Sequence, residues 1–193
     1  MKKTFYFVRH GETEWNKIGR IQGTTDIPLS DVGVLQARKL AENLLDIPVS
    51  YIYSSPLKRA FMTADVISEK IGVEVKIAPL LREVCFGDAE GKIYSELPDN
   101  IKNSVNAIFD SGTDICLEDL VNAESFNDVF SRFMKFLDSV PDDENNVLLV
   151  SHGGVIKIAL LKFLSEQVRI GNCACFAFEY DTISKNISNV RCV

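Results

Sequence analysis

The sequence predicts an α/β fold: a mainly parallel sheet flanked by helices, with a mostly helical insertion over the C-terminal ends of the strands. Three observations predict it. Short apolar runs alternate with segments of helical period, which is how chains that build parallel sheets read. Two of those runs end alike. Phe5-Tyr6-Phe7-Val8 leads into Arg9-His10-Gly11, and Val147-Leu148-Leu149-Val150 leads into Ser151-His152-Gly153-Gly154. The third observation is a long middle stretch, residues 84–144, that has helical spacing and no convincing strand.

In chain order, residues 4–8 form the first strand. Ser30 caps a helix running to about residue 45, with Leu40, Ala41 and Leu44 on one face. Residues 51–53 are a short strand, and Pro56 suits the first turn of the helix that follows, which Gly72 closes. A third strand spans residues 73–77. Helical spacing is weak over 97–109 and clear over 125–140, where Phe126, Val129, Phe130, Phe133 and Leu137 repeat. The fourth strand is 147–150 and the next helix 154–163. Late strands follow at 173–179, expected antiparallel, and at 190–193.

Composition narrows the function. The 193 residues suit one domain, 1–193, with 84–144 as its inserted cap. An apolar share of 46% and a charged share of 25% are those of an ordinary globular chain. No apolar run reaches the ~20 residues of a membrane span, and no secretory signal opens the chain. A net charge of −6 argues against a nucleic-acid binder but leaves room for a small phosphorylated partner held by local arginines. Five cysteines without framework spacing suit a reducing cytoplasm. Cys173 and Cys175, two apart, are expected on one face of a strand as small core residues rather than metal ligands.

Ligands of open α/β sheets bind beyond the carboxyl ends of the strands. Arg9 and His10 follow the first strand, Arg59 the second, Glu83 the third and His152 the fourth. Paired arginines can clamp a phosphate, an imidazole can attack phosphorus, and a carboxyl can protonate the leaving oxygen. Because phosphoryl transfer rests on positioning and charge stabilisation, such a cluster could work without a metal or other cofactor. Asp88 and Glu90 are rival acids to Glu83. Glu12 and Glu14 are read as structural, since carboxylates beside a phosphate repel it, and Trp15 as packing under the loop.

Val8 through Asn16 resembles the defining motif of the histidine phosphatase superfamily, also called phosphoglycerate-mutase-like proteins. The likeness continues through Arg20-Ile21-Gln22-Gly23, Asp26-Ile27-Pro28-Leu29-Ser30, Ser54-Ser55-Pro56-Leu57-Lys58-Arg59-Ala60, Leu81-Arg82-Glu83, Phe86-Gly87, Glu90-Gly91 and Ser151-His152-Gly153-Gly154. The resemblance implies that His10 is the nucleophile that becomes phosphorylated. Arg9, Arg59 and His152 would hold the phosphoryl oxygens, and Glu83 would serve as acid and then base. Asn16, Gln22 and Gly23 would help bind the phosphate, and no metal would be needed.

Mutases of the family resemble longer chains whose extra residues wall off the pocket. The stretch between Glu83 and the fourth strand is short here, which favours an open site, water access and hydrolysis, with a mutase second. A phosphate-binding module without turnover is a third reading, disfavoured because nucleophile, second histidine and acid are all retained. Among short members the pattern is similar to α-ribazole phosphatases and broad-specificity sugar-phosphate phosphatases. It departs from them at Ala89-Glu90-Gly91, where they have Trp-Glu-Gly, and at Ala123-Glu124-Ser125, where they have Gly-Glu-Ser. The expected substrate is a small phosphomonoester, with α-ribazole 5′-phosphate and sugar phosphates as candidates.

Overall fold

A computed structural model describes residues 1–109, 120–161 and 170–193. Strands β1 (Lys2–Arg9), β2 (Tyr51–Ser54), β3 (Val75–Ile77), β4 (Val147–Ser151), β5 (Cys175–Asp181) and β6 (Asn186–Cys192) form one sheet in the order β3-β2-β4-β1-β5-β6. The first four run parallel, and β5 and β6 add an antiparallel edge beside β1. The helices are α1 (Glu14–Lys17), α2 (Asp31–Asn43), α3 (Lys58–Ile71), α4 (Asp99–Ala107), α5 (Phe126–Ser139) and α6 (Gly153–Leu161). Three short 3-10 turns occupy Pro79–Leu81, Gly87–Ala89 and Tyr94–Glu96.

Period-two alternation along β1 divides the core. Phe5 and Phe7 face α5 and α6, where Phe7 stacks on Phe133 with ring centroids 5.1 Å apart. Tyr6 and Val8 face the opposite layer, meeting Leu40, Ala41 and Leu44 from around α2 and Ala60, Ala64 and Ile67 from α3. β4 is buried at all five positions because it lies between β2 and β1 with helices over both faces. That placement explains its unbroken apolar run.

The middle stretch divides in two. Helix α5, closed at its start by a Ser125–Asp128 capping box, lies on the sheet. The turns after Glu83 and helix α4 stand beyond the strand ends instead, where Phe86, Tyr94, Val105 and Asn106 face a cavity.

Several boundaries differ from expectation. Pro56 precedes α3 rather than opening it, because Leu57 is still extended and the first helical residue is Lys58. Cys173 does not share a strand face with Cys175. It sits in a turn at φ 56° whose N–H donates to the Arg9 carbonyl, and β5 starts only at Cys175. The last strand begins at Asn186, earlier than expected, because β5 pairs with it as a hairpin. The expected end of the 154–163 helix lies outside the described residues.

Candidate active site

The site grows from the pairing of β1 with β4. Arg9 stands opposite Ser151, and the His10 N–H donates to the Ser151 carbonyl at 3.0 Å. Both histidines thus leave adjacent strands at one level, with ring centroids 5.2 Å apart. Ser151 Oγ donates to the Leu81 carbonyl at 2.7 Å, which ties the segment carrying Glu83 to the same strand end.

His10 is 2% exposed. Its Nδ1 lies 2.6 Å from the Gly11 carbonyl, which can only accept, so Nδ1 carries the proton and Nε2 keeps its lone pair. Burial, reinforced by the charges of Arg59 and Arg9, holds the imidazole pKa well below its ordinary 6.5. Arg59, in the first turn of α3, is fully buried and directs Nε to His10 Nε2 at 3.3 Å. Its Nη1 donates to the Thr25 carbonyl at 2.8 Å and its Nη2 to the Gly23 carbonyl at 2.7 Å, so the loop after Gln22 aims the guanidinium. Gly23 is required there. Its φ is +52°, and a Cβ would lie 2.0 Å from Glu90 Oε1.

His152 is fully buried, and its Nε2 is 2.7 Å from Ser55 Oγ. Burial first, then the charges of Arg59 and its neighbours, keeps this imidazole neutral as well. Arg9 donates from Nη1 to the Ile170 carbonyl at 2.8 Å. Among the described residues, three buried side-chain nitrogens have no partner: Arg9 Nε, His152 Nδ1 and Arg20 Nε. Burying a donor unpaired is costly. Two of these belong to the cluster around His10. Arg9 Nε–H is a donor, and His152 Nδ1 is one when Nε2 accepts the Ser55 hydroxyl proton. Such donors suit an oxyanion.

Glu83 is 8% exposed. Its Oε1 accepts from the Val84 N–H at 2.9 Å and its Oε2 from the Gly154 N–H at 3.3 Å, so it rests against the start of α6. Of the rivals, Glu90 is occupied elsewhere. Its oxygens accept from the N–H groups of Thr24, Thr25 and Phe86 at 2.8, 3.1 and 3.2 Å, binding one loop to another. Asp88 does not reach the cavity that Glu83 lines. Asn16 and Gln22 do reach it, and both are joined to Thr13: Asn16 Oδ1 accepts the Thr13 N–H, and Gln22 Oε1 accepts the Thr13 hydroxyl. Every site residue read from the sequence except His152 lines this open cavity of about 290 Å³, and His152 lies behind it.

Other residues here were not read from the sequence. Arg132, on α5 and buried, donates to the carbonyls of Leu80 and Arg82 at 2.7 Å and of Glu83 at 3.0 Å. It also pairs with Glu124, which accepts the Cys85 N–H. The segment bearing Glu83 is therefore held from α5. The available signal was a charged residue three positions after core-facing Val129. Ser55, whose hydroxyl meets His152, lay inside a recognised motif without a role. Glu12 and Glu14 are structural, accepting from Ser30 and pairing with Lys17. Trp15 packs against the Arg20 guanidinium, 5.2 Å away.

Residues 5–191 match the histidine phosphatase superfamily (branch 1). The chain belongs to that superfamily. It is similar to phosphoglycerate mutase-like protein 4 of Arabidopsis thaliana, 38% identical over 154 residues, which is 78% of this chain and 66% of that protein. A metal-independent phosphoserine phosphatase of the same plant is 38% identical over 160 residues, 80% of this chain and 66% of that one. The chain thus spans just under two thirds of the length of these two relatives. In structure, the chain superimposes on a mycobacterial glucosyl-3-phosphoglycerate phosphatase with a TM-score of 0.78 at 26% identity, covering 100% of this chain and 97% of the other. No helix among the described residues is long and apolar enough to cross a membrane.

Proposed function

We propose that this chain is a metal-independent phosphomonoester phosphatase working through a phosphohistidine on His10. The observation that carries this is the His10 imidazole: Nδ1 is fixed on the Gly11 carbonyl, and Nε2 is left neutral and ringed by Arg59, Arg9 and His152. In the first step Nε2 attacks phosphorus and the ester P–O bond breaks. The protonated Glu83 carboxyl supplies the proton to the departing alkoxide. Arg9, Arg59 and His152 Nδ1 bear the growing charge on the phosphoryl oxygens. In the second step the Glu83 carboxylate takes a proton from water, which attacks phosphorus, and His10 departs neutral with release of inorganic phosphate.

The relatives' names support hydrolysis of small phosphate esters, and metal independence in one case. We read residues 84–109 of the inserted stretch as the cap that shapes the leaving-group pocket, supported by Phe86, Tyr94, Val105 and Asn106 in its wall. Helix α5 packs on the sheet instead, and residues 110–119 lie outside the described residues. The open cavity favours water as acceptor over the mutase reaction. At about 290 Å³ it also suits a small metabolite, lying just under the ~300–1,000 Å³ typical of ligand pockets. A cytoplasmic location fits the four free thiols among the described residues.

The test is phosphate release from α-ribazole 5′-phosphate, phosphoglycerates, phosphoserine, sugar phosphates and nucleotides in excess chelator, with His10→Ala as the blank. Turnover of at least one ester, unaffected by chelator and absent from the blank, is expected. Dependence on added metal, or exchange of phosphoryl groups between phosphoglycerates without net release, would replace this reading.

A further inference from the structure

The cavity carries more positive charge than one phosphoryl group uses. Among the described residues four cations line it, Arg9, Arg59, Arg20 and Lys157, against one acid, Glu83. Arg9 and Arg59 surround His10 and are taken up by the transferring phosphate. The charges that act on His10 are those of Arg59 and Arg9, not those of Arg20 and Lys157. Arg20 extends from the loop before Gln22, spends Nη1 on the Gly91 carbonyl at 3.2 Å, and leaves its buried Nε without a partner. Lys157 lies one turn along α6 from Gly154, whose N–H holds Glu83, so its side chain leaves the same helix face. Its Nζ stands 4.3 Å from the Phe109 ring centroid, and partial burial lowers its pKa from the ordinary lysine value. Among the described residues neither cation has a carboxylate partner, whereas Lys17, Lys76, Arg82 and Arg132 each pair with one.

Apolar side chains of Ile21, Phe86, Val105 and Phe109 line the same cavity. The Tyr94 hydroxyl donates to Asn106 Oδ1 at 3.0 Å, which leaves the Asn106 amide N–H groups to face a ligand. A small cavity that combines a phosphate clamp, apolar side chains and two cations without a carboxylate partner among the described residues fits a short leaving alcohol with an anionic tip.

We propose that Arg20 and Lys157 form a second anion subsite, making the preferred substrate a small phosphomonoester whose leaving alcohol carries another negative charge, a carboxylate or a second phosphate. This rests on the phosphatase reading above and adds the substrate class. It favours acidic phosphate esters over α-ribazole 5′-phosphate and simple sugar phosphates, whose leaving groups carry no such charge.

The experiment compares matched esters. 3-Phosphoglycerate is set against glycerol 3-phosphate, in which a hydroxymethyl group replaces the carboxylate. 1,3-Propanediol bisphosphate is set against 3-hydroxypropyl phosphate for the second source of charge. The readout is the ratio of kcat/KM within each pair for wild type, Arg20→Gln and Lys157→Met, a ratio that cancels losses common to both members. At least one anionic member should be preferred by roughly ten- to a hundredfold, the worth of one or two charge-assisted hydrogen bonds. Each substitution should bring that ratio towards one. Ratios near one in wild type, or ratios that neither substitution moves, would overturn the subsite while leaving the phosphatase intact. Should no ester turn over, the phosphatase reading itself fails. Calorimetric binding of the same pairs to the protein then decides the subsite, since equal affinities within both pairs would reject it.

Discussion

Gly154→Ala places one methyl group against the proposed acid. A Cβ at this position would lie 2.5 Å from Glu83 Oε1 and 2.8 Å from Val84 Cγ2. Ordinary contact begins at 3.4 Å, so the Glu83 carboxylate must retreat by about 0.9 Å, the difference between 3.4 and 2.5 Å. A displacement near 1 Å at a reacting group costs on the order of a hundredfold in rate, and a positioned general acid contributes about 10²–10⁴-fold. The variant should therefore lose roughly a hundredfold in kcat on alkyl phosphates, whose alkoxide needs a proton. On 4-nitrophenyl phosphate, whose leaving group departs unaided, the loss should be under about fivefold. The assay is steady-state kinetics on both substrates, with thermal unfolding to show that the variant is folded. In a Glu83→Gln background the same methyl should add little further loss. Equal losses on both substrates, or additive losses in the double variant, would refute the idea that Gly154 is small in order to seat the acid.

Other predictions follow from the same geometry. Glu83→Gln alone should slow alkyl phosphates by about 10²–10⁴-fold and aryl phosphates far less; an even loss across a leaving-group series would remove Glu83 from the acid role. Arg132→Met leaves Glu124 and three carbonyls short of a buried partner, and should lower unfolding free energy by about 3–5 kcal/mol in denaturant titration. A loss under about 1 kcal/mol would mean that Arg82 alone satisfies Glu124. Stability should also depend on pH through His10 and His152. Both are neutral when folded, with pKa values held well below 6.5, mainly by burial. The unfolded chain binds protons as pH falls through 6.5 while the folded one does not, so stability is complete above that pH and declines below it. The slope should approach ~2.7 kcal/mol per pH unit for two protons. Denaturant titrations between about pH 5 and 7 measure it, and a flat profile would show that the imidazoles charge in the folded state.

The parts of the fold read from sequence were those with a strong local signal. The unbroken apolar runs of β1 and β4 and the apolar spacing of α5 each set an element before any packing is considered. Weaker boundaries were decided by partners far along the chain. β1 extends to Lys2 because β5 pairs with it, and Cys173 falls in a turn because its N–H reaches Arg9. Most of the candidate site was legible because its residues lie at strand ends, where an α/β sheet collects them. Arg132 and Glu124 were not legible as a pair. Their work is to hold Glu83 from a neighbouring helix, and a contact of that kind leaves no spacing signature. Lys157 was hidden similarly, because a lysine on an apolar helix reads as a solvated position until the cavity beside it is seen.

The central claim is that phosphate passes through His10, and trapping the covalent intermediate tests it most directly. Protein turning over 4-nitrophenyl phosphate would be quenched in alkali, where phosphohistidine survives, then digested and mapped by mass spectrometry. A phosphoryl group on His10, formed and lost at rates compatible with kcat and absent after His10→Asn, is the predicted result. Steady turnover with no phosphorylated His10, or a label on another residue that persists after His10→Asn, would contradict it.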